Sequence, residues 1–125
     1  MKENDISYNI RAAAFRIHTE LGPGLLESVY EKAIAFELKE MGHKVDCQVE
    51  IPMIYKDIEF DVGFRLDILV DDLVIIEIKS VESLMDVHHK QLLTYLRLTK
   101  LKLGLLINFN SSLIKNSIVR IVNNL

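Results

Sequence analysis

The sequence predicts an α/β (α+β) fold, a mixed central sheet flanked by helices. Three observations carry that prediction. Apolar residues recur at three and four in the first third of the chain and then switch to alternation. Two segments, LVIIEIKS and LKLGLLINF, are nearly continuous apolar runs, which suits strands covered on both faces. A helical stretch lies between them and reads as a crossover, whereas the strands before it follow one another as a meander. No linker, repeat or low-complexity segment divides the 125 residues, so 1–125 reads as one domain.

Taken in order, ISYNIRAAAFRIHTEL places Ile6, Ile10, Ala13, Ile17 and Leu21 on one helical face, with Asn4 or Asp5 as the expected cap. Gly22-Pro23-Gly24 ends that helix. A second helix is expected from about Leu25 to Met41, with Leu25, Val29, Ala33 and Phe36 as its apolar stripe and Gly42 as its stop. VDCQVEIPM alternates Val45, Cys47, Val49 and Ile51 with polar residues, and Pro52 puts this strand near an edge or an end. Lys56 and Asp57 turn the chain back into a second strand that runs through GFRLDILV to Asp71-Asp72. LVIIEIKS follows as the third. Ser83 and Asp86 resemble a capping box for a helix from about Leu84 through LMDVHHKQLLTYLRLT. LKLGLLINF is the next buried strand, and SIVRIVN reads as a short edge strand.

Composition excludes several classes. A formal charge of −3 and a pI near 5.8 give no global basic field to hold a nucleic acid. One cysteine, Cys47, excludes an internal disulfide and a cysteine-rich metal site; a small buried residue on a strand is its expected role. MKENDISYNI lacks an apolar targeting region, and no stretch approaches the roughly 20 apolar residues of a membrane span. A cytoplasmic location is therefore expected.

Glu77 and Lys79 interrupt the apolar third strand and, two apart, share a face. A two-residue turn at Asp71-Asp72 would place Asp67 and Glu77 on opposite faces, each stranded among apolar neighbours. A register one residue away pairs Asp67 with Glu77 and Arg65 with Lys79. It leaves Leu66, Ile68, Val70, Val74, Ile76 and Ile78 as one apolar face. An isolated buried ion costs several kcal/mol, so the second register is preferred, at the cost of asking Leu73 for a left-handed conformation. Adjacent carboxylates repel unless a cation intervenes, and Mg²⁺ suits them because it takes oxygen ligands. Lys79 would then stand where it can position or deprotonate a water nucleophile. On these strands alone, a buried network of Asp67, Glu77, Lys79 and Arg65 without chemistry is the slightly favoured reading.

RLD67, followed after nine residues by E77-I-K79, resembles the PD-(D/E)xK nuclease superfamily. Q91-L-L-T-Y95 resembles the QxxxY signature of its RecB-like branch, and G24-L-L-E27-S-V-Y30 is similar to the motif of the GxxExxY proteins. The likeness covers most of the chain, although Leu66 stands where the superfamily usually has proline. It implies a restriction-endonuclease-like αβββαβ core over residues 25–109, with residues 1–21 as a helical extension. It implies Asp67, Glu77, Glu27 and the Ile78 carbonyl as ligands of Mg²⁺ or Mn²⁺, Lys79 as the catalytic lysine, and Gln91 and Tyr95 as orienting groups. Tyr30, which shares a helix face with Glu27 and Glu31, and His88, which shares one with Gln91 and Tyr95, are further candidates.

The activity so implied is a divalent-metal-dependent nuclease, endo- or exo-, acting on DNA or RNA. A non-catalytic binding module on the same fold is the alternative. The basic residues are dispersed, so a homodimer or a partner protein is expected to supply nucleic-acid affinity.

Overall fold

Alternation and helical spacing are realised in a computed structural model that describes residues 2–125. Helix α1 spans Lys2–Leu21, and α2 spans Glu27–Glu40. Strands β1 (Val45–Tyr55), β2 (Ile58–Val70) and β3 (Val74–Lys79) form a meander. Helix α3 (Asp86–Thr99) crosses over to β4 (Leu103–Asn108). A short 3₁₀ turn at Ile114–Asn116 then leads to β5 (Ile118–Val122). The sheet order is β1-β2-β3-β4-β5, antiparallel except for the parallel β3/β4 pair that the α3 crossover joins. The predicted α+β class and mixed sheet are therefore present.

Two cores explain why β3 and β4 are apolar throughout. On one face, Ile6, Ile10 and Ile17 of α1 and Tyr30, Ile34 and Leu38 of α2 meet the even-numbered residues of β3 and the odd-numbered ones of β4. On the other, Leu92 and Leu96 of α3 pack on Leu66, Ile75 and Leu106. Gly104 permits the close approach of α3, since a Cβ there would sit 2.9 Å from a methyl of Leu92. Far from an appendage, α1 belongs to the main core: Ile10, Ala13 and Ala14 are fully buried. Truncating Ile10 to alanine should cost about 2–5 kcal/mol.

Several expectations need correction. The α1 helix begins at Lys2, ahead of the expected Asn4 or Asp5 cap. The buried stripe of α2 is Tyr30, Ile34, Ala35 and Leu38, while Leu25, Val29 and Phe36 are exposed. Both stripes have helical spacing, and the packing angle on the sheet chose between them. Helix α3 starts at Asp86 with Met85 as N-cap, and the side chain that closes its box belongs to His88 rather than to the Ser83/Asp86 pair. Cys47 lies on β1 as expected but is exposed, on the edge strand of the sheet.

The β2/β3 register is the preferred one, with Ile68↔Ile76 and Val70↔Val74. The strain expected at Leu73 falls instead on Asp71 (φ 53) and Asp72 (φ 57), residues whose short polar side chains tolerate the left-handed region. Leu66 leaves the apolar face assigned to it and joins the α3 core. The reason is Gln48, which lies across from Asp67 between the pairs Cys47↔Ile68 and Val49↔Leu66 and has φ 54. A left-handed residue there breaks the alternation of the hairpin. No helix among the described residues is long and apolar enough to cross a membrane.

Candidate active site

The β2/β3 ladder closes at Val70↔Val74 and runs only as far as Ile68↔Ile76. One residue further on, side chains replace backbone bonds. The Asp67 N–H donates to Glu77 Oε2 at 2.9 Å, and the Ile78 N–H donates to Asp67 Oδ2 at 2.8 Å. Each carboxylate therefore bonds to the backbone of the opposite strand and props the two strands apart. The fork places Asp67 and Glu77 together, with Lys79 next along β3.

Both acids are costly as anions in this position. Glu77 is 5% exposed, and its carboxyl is pushed up to about 8, first by burial and then by the charge of Asp67. Burial likewise raises Asp67, partly offset by the Ile78 N–H and by Lys79. Neither acid has a cationic side chain within ion-pair distance among the described residues. Two hard-oxygen donors lacking a counter-charge fit a divalent cation such as Mg²⁺ or Mn²⁺. They are a pair and no more: no three Asp, Glu, His or Cys side chains among the described residues form a ready cage. Water and backbone oxygens would have to complete the coordination.

Glu27 opens the first turn of α2 and is exposed at a cleft of about 500 Å³ that it shares with Glu31, Lys32, Gln48, Arg65 and Asp67. The loop before it is fixed by Tyr30, whose hydroxyl donates to the Gly22 carbonyl at 2.6 Å and accepts from the Leu25 N–H at 3.1 Å. Tyr30 is fully buried and stacked on Phe109, with ring centroids 4.3 Å apart. It thus anchors the loop that presents Glu27. The Ser80 hydroxyl, just past Lys79, donates to the Leu25 carbonyl and ties the same loop to the end of β3.

From α3, Tyr95 approaches the acids, since burial and then the charges of Glu77 and Asp67 raise its phenol. Its ring stacks on Phe64 of β2 at 4.5 Å. Gln91, one turn earlier, is exposed. His88, the further candidate on this helix, has its Nδ1 accepting the Met85 N–H at the start of α3.

Three contributors escaped the sequence reading. Gln48 turns in its left-handed conformation toward α2 and donates to Glu31, whose carboxyl burial raises. Glu31 lies four residues from Glu27 on the same helix face, which is the one signal sequence offered. Asn108 is 3% exposed and clamps the chain beyond Lys79: its Nδ2 donates to the Val81 carbonyl, and its Oδ1 accepts from the N–H groups of Val81 and Asn110. It is the register partner of Lys79 on β4, so it fixes the strand end that carries the lysine.

A family model described as the PD-(D/E)XK nuclease superfamily matches residues 4–121. Comparison with curated proteins and with solved structures gave no match. Membership of that superfamily brings a nucleic-acid substrate and, in general, a divalent metal. With the acidic fork, the adjoining lysine and a match over nearly the whole length, the chain belongs to the PD-(D/E)XK nuclease superfamily.

Proposed function

We propose that this protein is a nuclease that hydrolyses phosphodiester bonds in DNA or RNA with Mg²⁺ or Mn²⁺ held between Asp67 and Glu77. The observation that carries the reading is the fork itself: one buried and one half-buried carboxylate, each bonded to the opposite strand, with no ion-pair partner among the described residues. When bound, the metal supplies Lewis acidity toward a phosphate oxygen and neutralises the two acids. The Ile78 carbonyl, between Glu77 and Lys79, is the candidate backbone ligand. Glu27 acts from across the cleft through water, in keeping with a donor set of two acids rather than three.

Lys79 has no ion pair among the described residues and stands two residues beyond Glu77 on β3. Its ammonium orients the attacking water and offsets negative charge that grows on the phosphate. Tyr95 and Gln91 line the α3 side and orient the phosphate or the acids. The motifs G24-L-L-E27-S-V-Y30 and Q91-L-L-T-Y95 support placement among the GxxExxY proteins and the RecB-like branch. The buried Tyr30 gives the first of these motifs a physical sense, because the tyrosine holds the loop that presents the glutamate.

The test is to incubate purified protein with Mg²⁺ or Mn²⁺ and with single- and double-stranded DNA and RNA, beside Lys79→Ala. Metal-dependent cleavage that the substitution abolishes is expected. Cleavage that persists unchanged in the variant, or no cleavage of any substrate, overturns the reading, the latter in favour of a binding module.

A further inference from the structure

The formal charge of −3 gives this chain no general pull on a polyanion, so any grip on nucleic acid must be local. Around the fork the free cations are few and convergent. Lys32 of α2 and Arg65 of β2 line the same cleft as Asp67, one from each wall. Arg65 and Lys79 lie on the two arms of the fork, each two residues beyond its acid and past the last ladder pair, Ile68↔Ile76. Among the described residues none of the three has an ion-pair partner, whereas Arg16, Lys44 and Lys90 do. Lys32 and Arg65 are also exposed, so no cost of desolvation or repacking stands between them and a ligand.

The surface beyond Arg65 has the opposite character. The outer part of the β1/β2 hairpin has no third strand beside it and carries Asp57, Glu59 and Asp61 against Lys56. A phosphate backbone that followed it would be repelled.

Building on the nuclease reading above, we propose that Lys32, Arg65 and Lys79 form a phosphate clamp over the acidic fork, and that this clamp is the whole of the chain's own grip on nucleic acid. The two cleft walls hold the phosphates flanking the scissile bond, and Lys79 faces the scissile phosphate. The footprint is then about three phosphates. Each neutralised phosphate contributes about 0.9 to the slope of log affinity against log salt for duplex and about 0.7 for single strands. A slope of roughly −2 to −3 follows, far shallower than that of a protein with an extended basic face.

The experiment uses fluorescence anisotropy with end-labelled DNA and RNA oligonucleotides, single- and double-stranded, from about 50 to 200 mM salt. Ca²⁺ replaces Mg²⁺, and a gel confirms that each probe stays intact. Arg65→Ala and Lys32→Ala should each weaken binding about 3- to 10-fold and lower the slope by about one, and Arg65→Lys should restore most of the loss. Lys102→Ala and Lys115→Ala should bind as the wild type does. If the wild type binds but the two alanine variants match it in affinity and slope, or if Lys102→Ala loses as much, the clamp is wrong and the nuclease reading stands. A wild-type slope of about −6 or steeper would refute the small footprint. Absence of binding to every probe would overturn the clamp together with the reading beneath it.

Discussion

The hairpin of β2 and β3 carries acids at both ends, and the two ends treat them oppositely. At the closed end, burial works against ionisation of Asp71, but hydrogen bonds from His43 Nδ1 at 2.7 Å and the Lys44 N–H at 2.9 Å outweigh it. The carboxyl is held below its ordinary range. His43 Nε2 in turn meets the Asn9 amide at 3.0 Å, so this acid fastens α1 and the start of β1 to the turn. At the open end, burial first and then the charge of Asp67 raise the Glu77 carboxyl to about 8, and the Asp67 N–H and the charge of Lys79 do not outweigh them. Asp71, in the turn that follows β2, is four positions along the chain from Asp67. The protein gives the acid at the joint two hydrogen-bond donors, and gives the acid at the fork one donor and a neighbour of like charge.

Breaking the open end should give the largest effects. Lys79→Ala should lower metal-dependent cleavage at least about 100-fold, measured as initial rate under saturating metal, with an unchanged circular dichroism spectrum. Stability should move the other way at Glu77. With no metal present, the folded protein holds a proton there that the unfolded chain releases from about 4.5 upward, so stability falls as pH rises from about 4.5 to 8. The ceiling on that loss is roughly 5 kcal/mol. Glu77→Gln keeps an acceptor for the Asp67 N–H and has no charge to bury. Urea melts at pH 8.5 in chelator should therefore show the variant more stable by about 2–4 kcal/mol and flat with pH. A variant less stable than wild type at that pH would mean that the fork is a structural joint, like its counterpart.

At the closed end the sign reverses. Asp71→Asn should destabilise by about 1–2 kcal/mol at neutral pH, read from the urea midpoint. The wild-type contribution of Asp71 is fully present above its unfolded value near 3.8 and is lost as pH falls through its lower folded value. The smallest effect belongs to an acid in neither environment. The Asp86–Lys90 pair is exposed at both partners, so Lys90→Ala should change stability by less than about 0.5 kcal/mol.

How far sequence reaches follows the same division. The mixed sheet, the crossover and the Asp67/Glu77 register were legible because one face of each strand must be apolar, and a slip of one residue would have buried two unpaired charges. The fork is a consequence of that register. What was not legible depends on a conformation or a choice of angle that no residue type announces. Gln48 is left-handed without being glycine, and the loss of alternation there moved Leu66 to the other core. On α2 two stripes had the right spacing, and the one with Phe36 lost to the one with Tyr30. That outcome also buries Tyr30 beneath the loop that its hydroxyl holds. His88 was drawn toward the site by its spacing from Gln91 and Tyr95, yet the helix end claimed it.

The comparison of the two ends reduces to whether the open one takes a divalent ion. The direct measurement is calorimetric titration of Mn²⁺ into metal-free protein at pH 7.5, in the wild type, Asp67→Asn and Asp71→Asn. Binding is expected in the wild type and in Asp71→Asn, and its loss in Asp67→Asn. No binding in the wild type, or binding that survives in Asp67→Asn, would contradict the assignment of the fork as the metal site.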